Sequence, residues 1–249
     1  MIPSLTGCAD GIHSALQGVV SAPAQPVSEG IMAYRGLIPA ERLSGIAPVG
    51  DLDVSGMWMG PERSFLVYPV SAGRLLNVVA FVPTDLEVLE SWTAPGDVRE
   101  LAAAYRGWDQ PVLDIIGAMD ETFRWGIYDR APLSQWSSER VTLLGDSAHA
   151  VVPHLGQGAN QAIEDAMTLA VLLDDCGPAD VPSRLRIYQE LRMIRTRQVR
   201  DGAREAGRTY RSTDLTASTR AAKIDAIFAG IAVNTYDAEQ VAQEALASV

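Results

Sequence analysis

The sequence predicts an α/β fold of the α+β kind, with a mostly antiparallel sheet in its first half and helices in its second. Three observations predict it. Between residues 31 and 83 the runs MAYRGLIPAERL, MWMG, SFLVYPV and LLNVVAFV are rich in aromatic and β-branched residues, which suit a pleated, half-buried surface. VTLLG (141–145) is short and uniformly apolar, the pattern of a strand buried on both faces of a parallel sheet. From Ala162 onward the apolar residues fall at helical spacing.

Taken in order, the first thirty residues are weakly patterned, and Pro3, Pro23 and Pro26 interrupt any long element. Ser71-Ala72-Gly73 separates two strand runs and reads as a hairpin turn. Val98, Leu101, Ala102 and Tyr105, then Val112, Leu113, Ile115 and Ile116, predict two short helices broken near Trp108 and Pro111. FRWGIYD (123–129) is a further strand. After a Gly/Pro-punctuated turn, Ala162, Ile163, Ala166, Leu169, Ala170 and Leu173 form an apolar stripe that predicts the buried face of a helix ending before Gly177-Pro178. A long helix follows from Ser183 to about Arg211. Its nine arginines are spread around it, which reads as a solvated helix with ion pairs rather than an anion-binding surface. Residues 214–249 read as a further helix and a tail.

With 249 residues, the chain is long enough for a sizeable core. A formal net charge of −11 opposes binding to nucleic acid or to an anionic membrane, because the overall field repels phosphate. The two cysteines, Cys8 and Cys176, make no framework, so a reducing, cytoplasmic setting is expected. MIPSLTGCADG has neither a basic nor an apolar region, so no signal peptide is expected, and no apolar run approaches a bilayer span.

The stretch LLGDSAHAVVPHLGQGAN (143–160) carries the chemistry. A buried parallel strand ending at Gly145 points to the sheet edge where ligands sit in open α/β folds. Asp146, just beyond it, offers a carboxylate to sugar-like hydroxyls. Pro153 fixes the backbone, and Gly156 and Gly158 let the main chain approach a flat ring. The next helix aims its N-terminal amides, and roughly half a positive charge, at the same place. A group that gains negative charge during reaction is stabilised there.

Three other readings compete. GQGANQA is a weak dinucleotide fingerprint, since ten residues separate Gly145 from Gly156 and Gln161 holds the third small-residue position. Gly145-Asp146-Ser147 resembles an esterase block, yet of the three histidines His149 lies two residues from Ser147, in the same turn, and no Asp-x-x-His follows towards the C-terminus. Asp146, His149 and His154 lack paired metal-ligand spacing, so no metal is expected.

GDSAHAVVPHLGQGANQAIEDA resembles the second flavin-binding motif of the single-component FAD-dependent aromatic hydroxylases, in the branch of salicylate hydroxylase and 6-hydroxynicotinate 3-monooxygenase. MAYRGLIPAERL, FLVYPVSAGRLLN, IYDRAPLSQW and IYQELRMIRT resemble the same branch, in order. ADGIHS (9–14) is similar to the family's Asp-Gly motif, though Cys8 stands where Gly is usual and Gln17 where Arg is expected. The family's opening βαβ unit with GxGxxG has no counterpart here. The resemblance therefore implies a C-terminal portion of such a hydroxylase. On that pattern 1–30 is a remnant of the FAD-binding domain, 31–135 the substrate-binding domain, 136–180 the return of the FAD-binding domain and 181–249 a C-terminal helical segment.

On the resemblance, FAD is held by Asp146 at the ribityl hydroxyls, by Pro153 beside the ring, and by Gly156, Gln157, Gly158, Ala159 and Asn160 at its pyrimidine end. Asp10 adds a contact to FAD or NAD(P)H. Tyr68 is the catalytic candidate, facing an aromatic substrate, while Arg35 is either a partner for a substrate carboxylate or an anchor of a Gly-flanked turn. Plainer alternatives are a ligand-free capping turn for the glycines, a turn role for Asp146 and an ordinary sheet aromatic for Tyr68. The implied activity is FAD-dependent hydroxylation of an aromatic acid or phenol with NAD(P)H and O2, the chain being incomplete and inactive alone. The other reading, from a different class, is a non-catalytic remnant that retains no FAD and self-associates through surface left bare by the absent unit.

Overall fold

A computed structural model describes residues 5–22, 25–46, 55–85 and 94–248. The chain divides into two compact units, one of Met1–Val27, Asp129–Gly207 and Ser218–Val249, the other of Ser28–Tyr128 and Arg208–Ala217.

The second unit is built on a six-stranded sheet. Its strands are β2 (Pro26–Pro39), β3 (Gly56–Gly60), β4 (Arg63–Val70), β5 (Leu75–Pro83), β6 (Pro95–Gly96) and β7 (Thr122–Arg130), in the spatial order β3-β4-β5-β2-β7-β6. The pairs β3–β4, β4–β5, β2–β5 and β6–β7 are antiparallel. Side chains alternate across a strand, and here the alternation separates two faces. One carries Tyr34, Ile38, Phe65, Val67, Leu76, Val78 and Ala80. These pack with Leu101, Tyr105, Val112, Ile115 and Ile116 into one core cluster. The last five come from α2 (Val98–Ala104) and α3 (Gln110–Gly117) and their junction. Asp97 caps α2 by accepting from Arg99 N at 2.7 Å. The phenol of Tyr105 is fully buried and lies within reach of Ser64 O at 2.8 Å and Phe81 O at 3.0 Å, sharing one proton between two strands. The opposite face carries Leu66 and Tyr68 of β4, Asn77 and Val79 of β5, and Arg35 and Leu37 of β2, by the register Leu66↔Val79↔Arg35 and Tyr68↔Asn77↔Leu37. The hairpin turn at Ser71-Ala72-Gly73 forms with all three residues at positive φ.

In the first unit, β1 (Thr6–Cys8) pairs in parallel with β8 (Val141–Leu143), Cys8 opposite Leu143. The strand expected over 141–145 is thus shorter at its far end. Gly145 turns the chain at φ 60° and ψ −145°, a conformation open essentially to glycine alone, and α4 (Asp146–His149) begins directly after it. A short helix α1 (Gln17–Val20) lies between β1 and β2. The remaining helices are α5 (Gly158–Leu173), α6 (Val181–Tyr210), α7 (Ala217–Gly230) and α8 (Ala238–Ala247). Residues 214–249 therefore hold two helices rather than one and a tail; the small buried Ala242 of α8 joins the cluster that includes Leu172 of α5 and Tyr188 of α6.

Two readings of the helical half are corrected by burial. The stripe expected to bury α5 is not the buried one: Ile163 is 66% exposed, while Gln161, Asp165, Thr168 and Leu172 face inward. And α6 is not solvated all round, because Arg192 and Arg195 are buried. Both departures have one cause: Arg192 and Arg195 of α6 turn inward to pair with Asp165 and Glu164 of α5. Among the described residues no helix is long and apolar enough to cross a membrane.

Candidate functional site

The turn from Gly145 to Asn160 is organised by a buried carboxylate. Asp165 on α5 is fully enclosed. Its Oδ2 accepts from Gly145 N at 2.8 Å and from His149 Nε2 at 2.6 Å, and its Oδ1 accepts from Arg192 Nε at 2.8 Å. Arg192 also donates to Glu164 Oε2 at 2.6 Å and to Gln161 Oε1 at 2.9 Å. Arg195 adds a donation to Glu164 at 3.2 Å and another to the Ile231 carbonyl, and its guanidinium lies 4.2 Å over the Tyr236 ring. Burial pushes the Asp165 carboxyl up, but the His149 hydrogen bond and the charges of His149 and Arg192 outweigh it and hold the group below its usual range. The inward face of α5 is polar because it receives these two arginines; every inward charge has a partner, as buried ions require.

The remaining ties are hydroxyls and glycines. Ser147 is buried and hydrogen-bonded to Cys8 O at 2.6 Å and Leu144 O at 2.7 Å, a structural clasp and not a nucleophile. Gln17, in the position where the resemblance expects Arg, donates to Ser147 O at 3.1 Å and so fastens the segment after β1 to the same turn. Tyr188 donates to Leu143 O at 3.0 Å. His154 and Leu155 lie in a 3-10 turn, Pro153–Leu155, and press against α6 where it has glycines. A Cβ on Gly207 would stand 2.3 Å from the His154 ring, and one on Gly202 would stand 3.7 Å from Leu155.

This bracing presents one set of groups outward. Asp146, Pro153, Gly156, Ala159 and Asn160 are exposed, Gly158 is half-buried and Gln157 is buried, its Nε2 donating to Leu155 O at 3.3 Å. Gly156 takes the left-handed conformation at φ 63°. Gln157 occupies the cap position of α5 without a side-chain capping bond, and the first helical bond at this end runs from Gln161 N to Gln157 O at 2.9 Å. The amides of Gly158, Ala159 and Asn160 precede that bond and are the helix's orphan donors. The Asp146 carboxyl is raised by the protein mass around it, more than His149 and Arg130 lower it, although the residue as a whole is exposed.

FAD can be tested against these residues on one observation. Glycine at 158 serves no packing need of the chain, for an added Cβ would meet only Val151 at 3.8 Å, and at 156 it would meet nothing within 4 Å. A surface kept clear of Cβ atoms beside a row of orphan amides fits the edge of a flat ring that accepts hydrogen bonds. The residues fit the group.

Asp10 lies apart from this row in role. It is exposed, and its carboxylate is lowered chiefly by the Ser14 hydroxyl and accepts from Ala15 N at 2.9 Å, closing the turn that leads into α1. Tyr68 and Arg35 belong to the second unit. Tyr68 is half-buried on the sheet face away from α2 and α3; Arg35 sits within β2, not in a turn, with its guanidinium 4.8 Å over the Trp125 ring. The sequence signals missed were Asp165 and Arg192: an acidic pair at the end of NQAIED and an RxxR pair on α6 one helix later were the only hints of their pairing.

The FAD binding domain family profile matches residues 5–203. The chain belongs to that family. It is 41% identical over 208 residues to a 3-amino-4-hydroxybenzoate 2-monooxygenase of Streptomyces platensis, covering 83% of this chain and 51% of that protein. To the salicylate hydroxylase of Pseudomonas putida it is 34% identical over 225 residues, with 83% and 52% covered. Among solved structures, a salicylate hydroxylase substrate complex superposes with TM-score 0.85 at 28% identity, over 97% of this chain and 64% of that one. Klebsiella pneumoniae HpxO complexed with FAD and uric acid gives 0.72 at 28% identity, with 97% and 59% covered. This member of the family thus spans about half the length of the curated relatives it matches.

Proposed function

We propose that these residues form the flavin-ring and substrate-binding part of an FAD-dependent monooxygenase that hydroxylates an aromatic acid or phenol with NAD(P)H and O2. The observation that carries the reading is the row Gly156–Asn160, exposed at Gly156, Ala159 and Asn160, with orphan amides and no Cβ at 158, in the same turn of chain as the exposed Asp146. In this reading Asp146 accepts from the ribityl hydroxyls and Pro153 lines the ring. The amides from Gln157 to Asn160, with the α5 dipole behind them, stabilise negative charge at the ring's pyrimidine end. Asp10 holds the segment after β1 in place for a nucleotide contact. Bound FAD supplies the redox and oxygen chemistry. Tyr68 hydrogen-bonds the substrate and orients it, and the apolar side chains around it exclude water.

Two relatives whose names specify hydroxybenzoates support the substrate class. The experiment is an equilibrium titration with FAD followed by flavin fluorescence, on the wild-type chain and on Gly158→Ala. The variant adds one methyl into open space at a helix start, so its melting temperature holds while its affinity for FAD falls. Equal FAD affinity in the two proteins refutes the ring-edge assignment, and absence of hydroxylated product when NAD(P)H and a hydroxybenzoate are supplied to a protein that does bind FAD refutes the activity. A second reading, self-association, is favoured by Leu16, Val19, Ile163 and Met167, which are exposed on the first unit, and by a β1–β8 pair that has no third strand among the described residues. Light scattering across a concentration series tests it.

A further inference from the structure

Within β5, Asn77 stands alone among apolar residues: Leu75, Leu76, Val78, Val79, Ala80, Phe81 and Val82 surround it in sequence, and the residue is only 4% exposed. Asparagine is disfavoured in strands, and a buried carboxamide is tolerated where its hydrogen bonds are made. Here the Nδ2 group is enclosed and has no hydrogen-bond partner among the described residues. The fold gives no reason for an amide at this position, since a Leu or Val would fill the same space without leaving a donor unmade.

What the position does have is neighbours of a particular chemistry. The register sets Asn77 between Tyr68 and Leu37 on the face away from α2 and α3, and the next rung on that face is Leu66, Val79 and Arg35. Directly opposed side chains on adjacent strands have Cβ atoms about 4.5–5.5 Å apart, and diagonal ones about 7–8 Å. Asn77 and Tyr68 thus reach the same atom of a bound molecule, while Arg35, stacked on Trp125 4.8 Å away, lies one ring's length further on. Between them the walls are Leu37, Leu66 and Val79. Two neutral donors, a distant guanidinium and aliphatic sides make a bed for a flat ring bearing an oxygen acceptor.

We infer that the Asn77 carboxamide is a substrate-binding group, donating from Nδ2 to the phenolic or carboxylate oxygen of an aromatic ring held beside Tyr68. This rests on the reading of that sheet face as the substrate face. The unmade hydrogen bond of the free protein is the one the ligand completes, so the residue raises affinity and selects for rings with an oxygen at that end. An analogue lacking the oxygen leaves the amide buried and unpaired, and is rejected for that reason.

The test is equilibrium binding of 2-hydroxybenzoate and 4-hydroxybenzoate, with FAD present, to wild type, Asn77→Leu, Asn77→Asp and Tyr68→Phe, alongside melting temperatures. Asn77→Leu is expected to weaken the better-bound probe by about tenfold or more, with a melting temperature equal to or above wild type. Asn77→Asp weakens it further by presenting a carboxylate to an anion. Affinity for Asn77→Leu within about twofold of wild type overturns the inference, as does a fall in its melting temperature of more than about 5 °C, which marks the amide as structural. Should Asn77→Leu not fold, unchanged affinity in Asn77→Asp overturns it instead. If the wild type binds a probe and only Tyr68→Phe weakens it, Asn77 is excluded and the substrate face stands. If neither probe binds the wild type, the substrate face falls and the inference with it.

Discussion

Replacing Asp165 with Ala removes the acceptor shared by Gly145 N, His149 and Arg192. Arg192 stays fully buried and keeps Glu164 and Gln161, so its charge is not wholly unpartnered. Breaking a buried ion pair by deleting one member costs ~3–5 kcal/mol, and the orphaned Gly145 amide adds ~1–3 kcal/mol. The retained partners place the total near the lower end, at ~4 kcal/mol. For a chain of this size 1 kcal/mol moves the midpoint by roughly 2–4 °C, so the melting temperature should fall by roughly 8–16 °C. The assay is thermal and urea unfolding by far-UV circular dichroism, with the FAD titration run below the transition. Affinity for FAD should fall as well, because Gly145 and α4 lose their brace. The double replacement Asp165→Leu with Arg192→Met should recover much of the stability, since it removes both charges together. A loss below ~1 kcal/mol for Asp165→Ala, or no recovery in the double variant, refutes the account of α5's polar face. The pH dependence has a definite sign. The carboxyl is depressed in the folded state, so its contribution is complete above the unfolded value of 3.8 and is lost as pH falls through the lower folded value. The wild-type advantage over Asp165→Ala should therefore hold at neutral pH and shrink only below about pH 4.

Gly207→Ala places a methyl 2.3 Å from the His154 ring, so the 3-10 turn must move; a loss of ~1–3 kcal/mol is expected by urea unfolding, with weaker FAD binding, and an unchanged midpoint would refute that packing. Gly145→Ala forces a side chain onto φ 60° and ψ −145° and should cost ~1–3 kcal/mol by the same measurement. Asp146→Asn tests the site from the opposite side. Because burial raises that carboxyl in the folded state, the charge opposes folding at neutral pH, and the variant should be more stable there, with the gain vanishing below the unfolded value of 3.8. The same variant should bind FAD more weakly; higher stability with full FAD affinity would reduce Asp146 to a turn residue.

Much of the architecture was legible because it follows local rules. The strands of 31–83 and 122–130, the two short helices broken near Trp108, and the long helix from about 183 to 211 all emerge from periodicity and punctuation. The ordered turn after β8 was legible from its glycines and proline, which place Gly145 and Gly156 at positive φ ahead of α5. The supports of that turn were not. Apolar spacing on α5 pointed to Ile163 and Ala170, whereas the buried face is Gln161, Asp165, Thr168 and Leu172. A charged residue on a helix reads as surface by default, and what buries Asp165 is an arginine 27 positions away on another helix, a pairing no local pattern encodes. For the same reason nothing local in LLNVVAFV marks Asn77, which only the β4–β5 register sets opposite Tyr68.

The Tyr105 phenol, lodged against the carbonyls of Ser64 and Phe81, ties together two residues that are partners in the β4–β5 register. Sliding β4 by a single position past β5 would strip that hydroxyl of one of its acceptors and, since side chains alternate, would turn Tyr68 into the hydrophobic interior and Leu66 with it. A helix on the far side of the sheet thereby acts as a detent, and the direction in which the outward-facing phenol points depends on a second phenol that never sees solvent.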